Sequence, residues 1–122
     1  MSKLLIVEDE KNLRTLYKKE FEKDGYEVYL ASEGNEALNI VEKENPDLIV
    51  IDIRMSGMDG IEAMKKILNK NKDIPIIINS AYSSYMDNFM SWAAKAYVIK
   101  SSDLTELKSK VKEFIDCWMI YL

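Results

Sequence analysis

Four short apolar runs, each ending in polar residues, limit what this chain can fold into. Leu4-Leu5-Ile6-Val7 ends in Glu8 and Asp9, and Leu48-Ile49-Val50-Ile51 ends in Asp52. Ile76-Ile77-Ile78 ends in Asn79-Ser80-Ala81, and Tyr97-Val98-Ile99 ends in Lys100. A strand that is apolar at every position is covered on both faces, as in a parallel sheet between two helical layers. In an open α/β sheet, ligands bind outside the C-terminal ends of the strands. Those ends carry three carboxylates, a hydroxyl and an ammonium. Such a set suits one divalent cation and one phosphoryl group.

Between the apolar runs lie segments of helical period. Strands are expected near Lys3–Val7, Glu27–Ala31, Leu48–Asp52, Ile74–Asn79 and Ala96–Ile99. Helices are expected near Lys11–Lys23, Asn35–Glu44, Gly60–Asn69 and Ser83–Ala93, with a last one from about Leu104 to near the C-terminus. Leu13, Leu16, Tyr17 and Phe21 form one stripe, and Leu104, Leu107, Val111, Phe114, Ile115, Trp118 and Met119 form another. Three-to-four spacing of this kind marks a helix face turned to the core. Asp24-Gly25 and Asn45-Pro46 end the first two helices. Asp103, with Glu106 three residues on, predicts a capping box for the last. Glu27–Ala31 alternates in polarity and is expected at a sheet edge. Five βα units with right-handed crossovers give one doubly wound parallel sheet.

At 122 residues the chain fits one domain, spanning 1–122. Its net charge is −4, with acids and bases interleaved and no basic stripe, so direct nucleic-acid binding is not expected. No apolar run reaches the ~18–20 residues of a membrane span, and Met1-Ser2-Lys3 leads straight into a strand, leaving no room for a signal peptide. Cys117 is the single cysteine, expected as a small apolar side chain, and its isolation fits a reducing cytoplasm. The chain has no histidine. Histidine triads, Cys-His pairs and histidine metal sites are therefore excluded, and any phosphohistidine must come from a partner.

With these residues placed, the chain resembles, over essentially its whole length, a receiver domain of the two-component response-regulator family. The acid pair, the lone Asp, Ser-Ala and Tyr-x-x-Lys at the ends of strands one, three, four and five carry the resemblance. It implies a flavodoxin-like fold with strand order 2-1-3-4-5 and helices on both faces. It also implies that Asp52 is the phospho-acceptor, and that Glu8, Asp9 and Asp52 hold Mg2+ with the backbone carbonyl of Arg54. Ser80 and Lys100 would contact the phosphoryl group, and Ser80 and Tyr97 would form the switch. The phosphodonor would be a sensor histidine kinase or a histidine phosphotransfer protein. Such a protein catalyses its own aspartyl phosphorylation and dephosphorylation, with no separate turnover substrate.

The chemistry agrees with these residue types. Phosphoryl transfer depends on positioning and charge compensation. Mg2+ takes oxygen ligands and keeps several waters, so a few carboxylates and a carbonyl suffice. Three close acids repel, so without metal or Lys100 at least one is expected to have a raised pKa. Lys100 is a flexible point charge suited to a phosphate oxygen. A phosphoryl group that drew Ser80 toward it would leave space for Tyr97 to rotate inward, a two-state element biased by local electrostatics.

Three departures from the family pattern stand out. Ser101 follows Lys100 where proline is usual, which predicts a trans Lys100–Ser101 bond. Ser56 also stands where proline is common, and no glycine precedes Tyr97. Arg54 and Tyr82, two positions after Asp52 and Ser80, are expected to shield the phosphoryl group from water. Tyr82 and the 83–93 segment carry two apolar stripes, Tyr82, Tyr85, Phe89 and Trp92 beside Met86, Met90 and Ala93. With the fifth strand and last helix that segment is expected to form a dimer or effector surface. Trp118–Leu122 favours a stand-alone receiver or a continuing helix over a polar linker, and a piece of a longer regulator stays open. Two other functions compete with the switch. A receiver-like module could signal by docking alone, although the complete acid set, Ser80 and Lys100 count against that. A flavodoxin-like cofactor enzyme would need a phosphate loop where Glu8-Asp9-Glu10 would repel one.

Overall fold

A computed structural model describes residues 1–53, 60–81 and 93–120, the last four of these by backbone alone. Five strands and four helices lie within them: β1 (Lys3–Val7), α1 (Lys11–Lys23), β2 (Glu27–Ala31), α2 (Gly34–Glu44), β3 (Leu48–Ile51), α3 (Gly60–Lys70), β4 (Ile76–Ser80), β5 (Ala96–Ile99) and α4 (Thr105–Ile120). All strand pairs are parallel, in the order β2-β1-β3-β4-β5. This is the flavodoxin-like doubly wound sheet, with β2 at an edge as its alternating pattern predicted.

Period-two side-chain alternation splits the apolar runs between two cores. Leu5, Val7, Ile49, Ile51, Ile76 and Ile78 face Ala37 and Val41 of α2 and Ala63, Met64 and Ile67 of α3. Leu4, Ile6, Leu48, Val50 and Ile77 face Tyr17 and Phe21 of α1 and Leu107, Val111 and Ile115 of α4. Each fully buried Leu or Ile contributes about 1.5–3 kcal/mol, so a strand buried on both faces is held from both sides. Leu16 departs from the expected stripe and is 41 % exposed. The row Leu13, Tyr17 and Phe21 advances four residues at a time and takes the core face, while Leu16 sits a third of a turn away.

The first two helices end as their sequences require. Gly25 has φ +95, and the Gly25 and Tyr26 N–H groups donate to the carbonyls of Glu22 and Phe21. That is a Schellman end, open to a residue without Cβ. Asn45 takes the left-handed conformation after α2, just before Pro46. β4 starts at Ile76 and not Ile74, because Pro75 has no N–H for the ladder; its carbonyl accepts from Ile49 N at 3.0 Å. Asp103 caps α4 by accepting from Thr105 N at 2.9 Å. The capping box is not closed, since Asp103 N–H donates to Ser101 Oγ and not to Glu106. No described peptide bond is cis, so Lys100–Ser101 is trans as expected.

The expected 83–93 helix lies outside the described residues except at Ala93, and so do Arg54, Ser56 and Tyr82. The side chains of Cys117, Trp118 and Met119 are likewise outside them. No helix among the described residues is long and apolar enough to cross a membrane.

Candidate functional site

The strand order reverses between β1 and β3, and their C-terminal ends meet there. Asp52 N–H donates to Val7 O at 3.0 Å, carrying the β1–β3 ladder one residue beyond β3. Glu8 N–H donates to Ala31 O at 3.0 Å and does the same between β1 and β2. The backbones of both acids are thus fixed by the sheet, while their carboxylates leave it. Asp52 is 6 % exposed and Glu8 2 %, and Asp9 is exposed. A carboxylate oxygen from each of the three lies within 4.8 Å of the others.

Lys100 reaches into this cluster from the end of β5. Its Nζ lies 2.7 Å from Asp52 Oδ2 and 2.6 Å from Glu8 Oε1. The Asp52 contact is a hydrogen bond, and the Glu8 contact is an ion pair without hydrogen-bond alignment. Burial alone would lower the Lys100 pKa, but its contacts with Asp52 and Glu8 outweigh that and raise it, so the ammonium persists at neutral pH. Glu8 is the carboxyl pushed up from the usual range. Burial is the main cause, opposed by Lys100 and by the Glu10 N–H, and the charge of Asp52 contributes least. One acid is thus raised as expected, with burial as the main cause and repulsion by Asp52 the smallest.

The other described candidates are near. Ser80 is fully buried at the end of β4, and its carbonyl accepts from Lys100 N at 2.8 Å, which aligns the hydroxyl-bearing and ammonium-bearing strand ends. Tyr97 pairs with Ile78 across β4 and β5 and packs half-buried against the core formed with α2 and α3. Arg54 and Tyr82 fall outside the described residues.

Gly60 opens α3 directly behind Asp52. Its N–H donates to Ile53 O at 2.6 Å, and a Cβ there would collide with the Asp52 carbonyl oxygen. The role of Gly60 is thus geometric, a close approach to the acid-bearing backbone.

Two features were not anticipated from sequence. Arg14 Nη1 donates to the carbonyls of both Glu8 and Asp9, each at 2.8 Å. Asn79 Nδ2 donates to Tyr17 OH at 3.1 Å inside the core. Tyr17 read as one more apolar stripe residue, and only the contact between α1 and β4 reveals its polar end.

The donor set fits a small hard cation. Two oxygens on opposite sides of Mg2+ stand about 4.2 Å apart, so carboxylates this close need only small side-chain rotations. Residues 4–112 match the model of the response regulator receiver domain family. The chain is similar to sporulation initiation phosphotransferase F of Bacillus subtilis, 36 % identical over 115 residues and covering 93 % of each. It is also similar to the response regulator TrrA of Thermotoga maritima, solved in complex with Mg2+-BeF, at TM-score 0.90 and 45 % identity, covering 93 % of this chain and 99 % of that one. The same regulator in complex with the histidine kinase ThkA aligns at TM-score 0.87 and 45 % identity, covering 93 % and 98 %.

Proposed function

Because this chain belongs to the response regulator receiver domain family, we propose that its phosphorylation switch is built on Asp52, with Glu8, Asp9, Ser80 and Lys100 as its working groups. The protein is a phosphorylation-activated two-component signalling switch with Mg2+ as cofactor and a histidine kinase as partner. The single observation that carries the assignment is the Lys100 ammonium bridging Asp52 and Glu8, with Asp9 in reach, at the C-terminal sheet edge.

Glu8, Asp9 and Asp52, with the Arg54 carbonyl, would hold Mg2+, which when bound offsets charge on the transferred phosphoryl oxygens. An Asp52 carboxylate oxygen attacks phosphorus in line, forming an O–P bond as the P–N bond to the donor imidazole breaks. Lys100 exchanges its carboxylate partners for a phosphoryl oxygen without changing its charge. The Ser80 hydroxyl donates to another phosphoryl oxygen. The acyl phosphate adds roughly −1.5 to −2 charges and strong acceptors at this edge, which biases Ser80 and Tyr97 toward a second arrangement. Water later cleaves the acyl phosphate, and Arg54 and Tyr82 are assigned to shield it.

Effector or dimer docking is assigned to β5, α4 and the 83–93 segment. Ile99, 40 % exposed on the β5 edge, supports this. A monomer mass independent of concentration, with and without beryllofluoride, would reject the dimer form.

The direct test is the intact mass after incubation with a small-molecule phosphodonor, with and without Mg2+. One phosphoryl group is expected in Mg2+, and none in Asp52→Ala. No gain under any condition would replace the switch with a docking module. Following the loss of that mass with time in Arg54→Ala and Tyr82→Ala tests the shielding role, which predicts faster decay; unchanged rates reject it.

A further inference from the structure

Arg14 puts a permanent positive charge beside a group of acids that gathers a cation. On charge alone this is unfavourable for cation binding, since like charges at short range repel. Its geometry supplies another reason for its place. β1 ends at Val7, so the carbonyls of Glu8 and Asp9 lie beyond the strand ladder. Arg14, in the first turn of α1, donates to both at 2.8 Å from one nitrogen, Nη1. Its own backbone is tied to the same turn, because Arg14 N–H donates to Glu10 O at 3.0 Å. The Glu10 N–H in turn donates to Glu8 Oε2 at 3.1 Å. Fixing two successive carbonyls fixes two successive peptide planes, and with them the directions in which the Glu8 and Asp9 side chains leave the backbone.

We propose that Arg14 is a positioning residue for the cation site, holding the acid-bearing turn so that Glu8 and Asp9 converge with Asp52. This rests on the metal-site assignment above. Partners that orient metal ligands typically set affinity by 10–100-fold when removed. The two explanations of Arg14 predict opposite signs. If it acts only as a charge, its removal tightens cation binding; if it positions the turn, its removal weakens binding.

The test titrates Mn2+ into metal-free protein and reads the free ion by electron paramagnetic resonance. Arg14→Met is expected to bind Mn2+ about 10-fold or more weakly, with the metal-free Tm nearly unchanged. Arg14→Lys keeps the charge and movable donors and is expected to recover part of the loss. Lys18→Met, the same charge change at an exposed position on α1, is expected not to weaken binding. Equal or tighter binding by Arg14→Met overturns the proposal. A weakening matched by a fall in metal-free Tm, with no recovery in Arg14→Lys, overturns it as well. Wild-type protein that binds no Mn2+, or an Asp52→Ala variant that binds as well as wild type, would instead remove the metal site itself and this inference with it.

Discussion

Glu8 combines two demands that conflict. Its carboxylate is 2 % exposed, and burial pushes its pKa above the ordinary 4.5. A carboxyl with a raised folded-state pKa costs no stability below its unfolded value, where both states are protonated. The cost appears as pH rises from there through the folded-state value. Glu8→Gln, which removes the buried charge and keeps the shape, is therefore expected to raise the metal-free Tm at pH 7 by about 2–6 °C. The gain should vanish toward pH 4, and the variant should bind Mg2+ more weakly. Calorimetry in chelator across that pH range checks it; a gain that is the same at pH 4 and pH 7 would contradict the burial argument. The residue types at this site were readable in the chain because each acid follows an apolar run. Their energetics were not readable, since burial depends on what closes over the turn.

At the scale of elements, α1 joins the two layers in an unexpected way. Tyr17 packs in the core face of the helix, yet its hydroxyl accepts from Asn79 Nδ2, one residue before Ser80 on β4. A buried amide left without a partner costs about 1–3 kcal/mol, whereas replacing both groups by apolar ones of similar shape can be nearly neutral. Tyr17→Phe is expected to lose about that much in urea denaturation, and Tyr17→Phe with Asn79→Leu less than the sum of the single changes. Additive losses would show that the bond carries no coupling. Helix and strand ends were largely legible, because Gly25, Asn45 and Asp103 act locally through their own backbone preferences. The later start of β4 was a local effect too, set by the missing N–H of Pro75. The open capping box was not legible, because Ser101 competes for the same N–H that Glu106 was expected to take.

Across the whole molecule, the proposed metal site joins loops that follow two different strands, β1 and β3. A cation that binds the folded chain through groups from both stabilises it by mass action, about 2.7 kcal/mol at 100 times its Kd. Mg2+ is expected to raise the Tm by several degrees in a saturable way, chelation to reverse it, and Asp9→Ala to abolish most of the rise. A Tm indifferent to Mg2+ would show that the folded chain does not bind the cation preferentially, and a rise that survives Asp9→Ala would place the cation elsewhere. The rise should persist without any phosphodonor, which separates binding from chemistry.

What the chain determined by itself was the order of the described elements, the doubly covered strands and the chemical groups at their C-terminal ends. These follow from local periodicity and from the rule that a strand buried on both faces is apolar throughout. Tertiary structure decided which residues act together. Lys100 bridges Asp52 and Glu8 across 48 and 92 positions of chain, Arg14 folds back onto the acid turn, and Gly60 leaves room for the Asp52 backbone. Such pairings are absent from sequence pattern because their distances are set by how the strands and helices pack, and not by any local preference of the residues that meet.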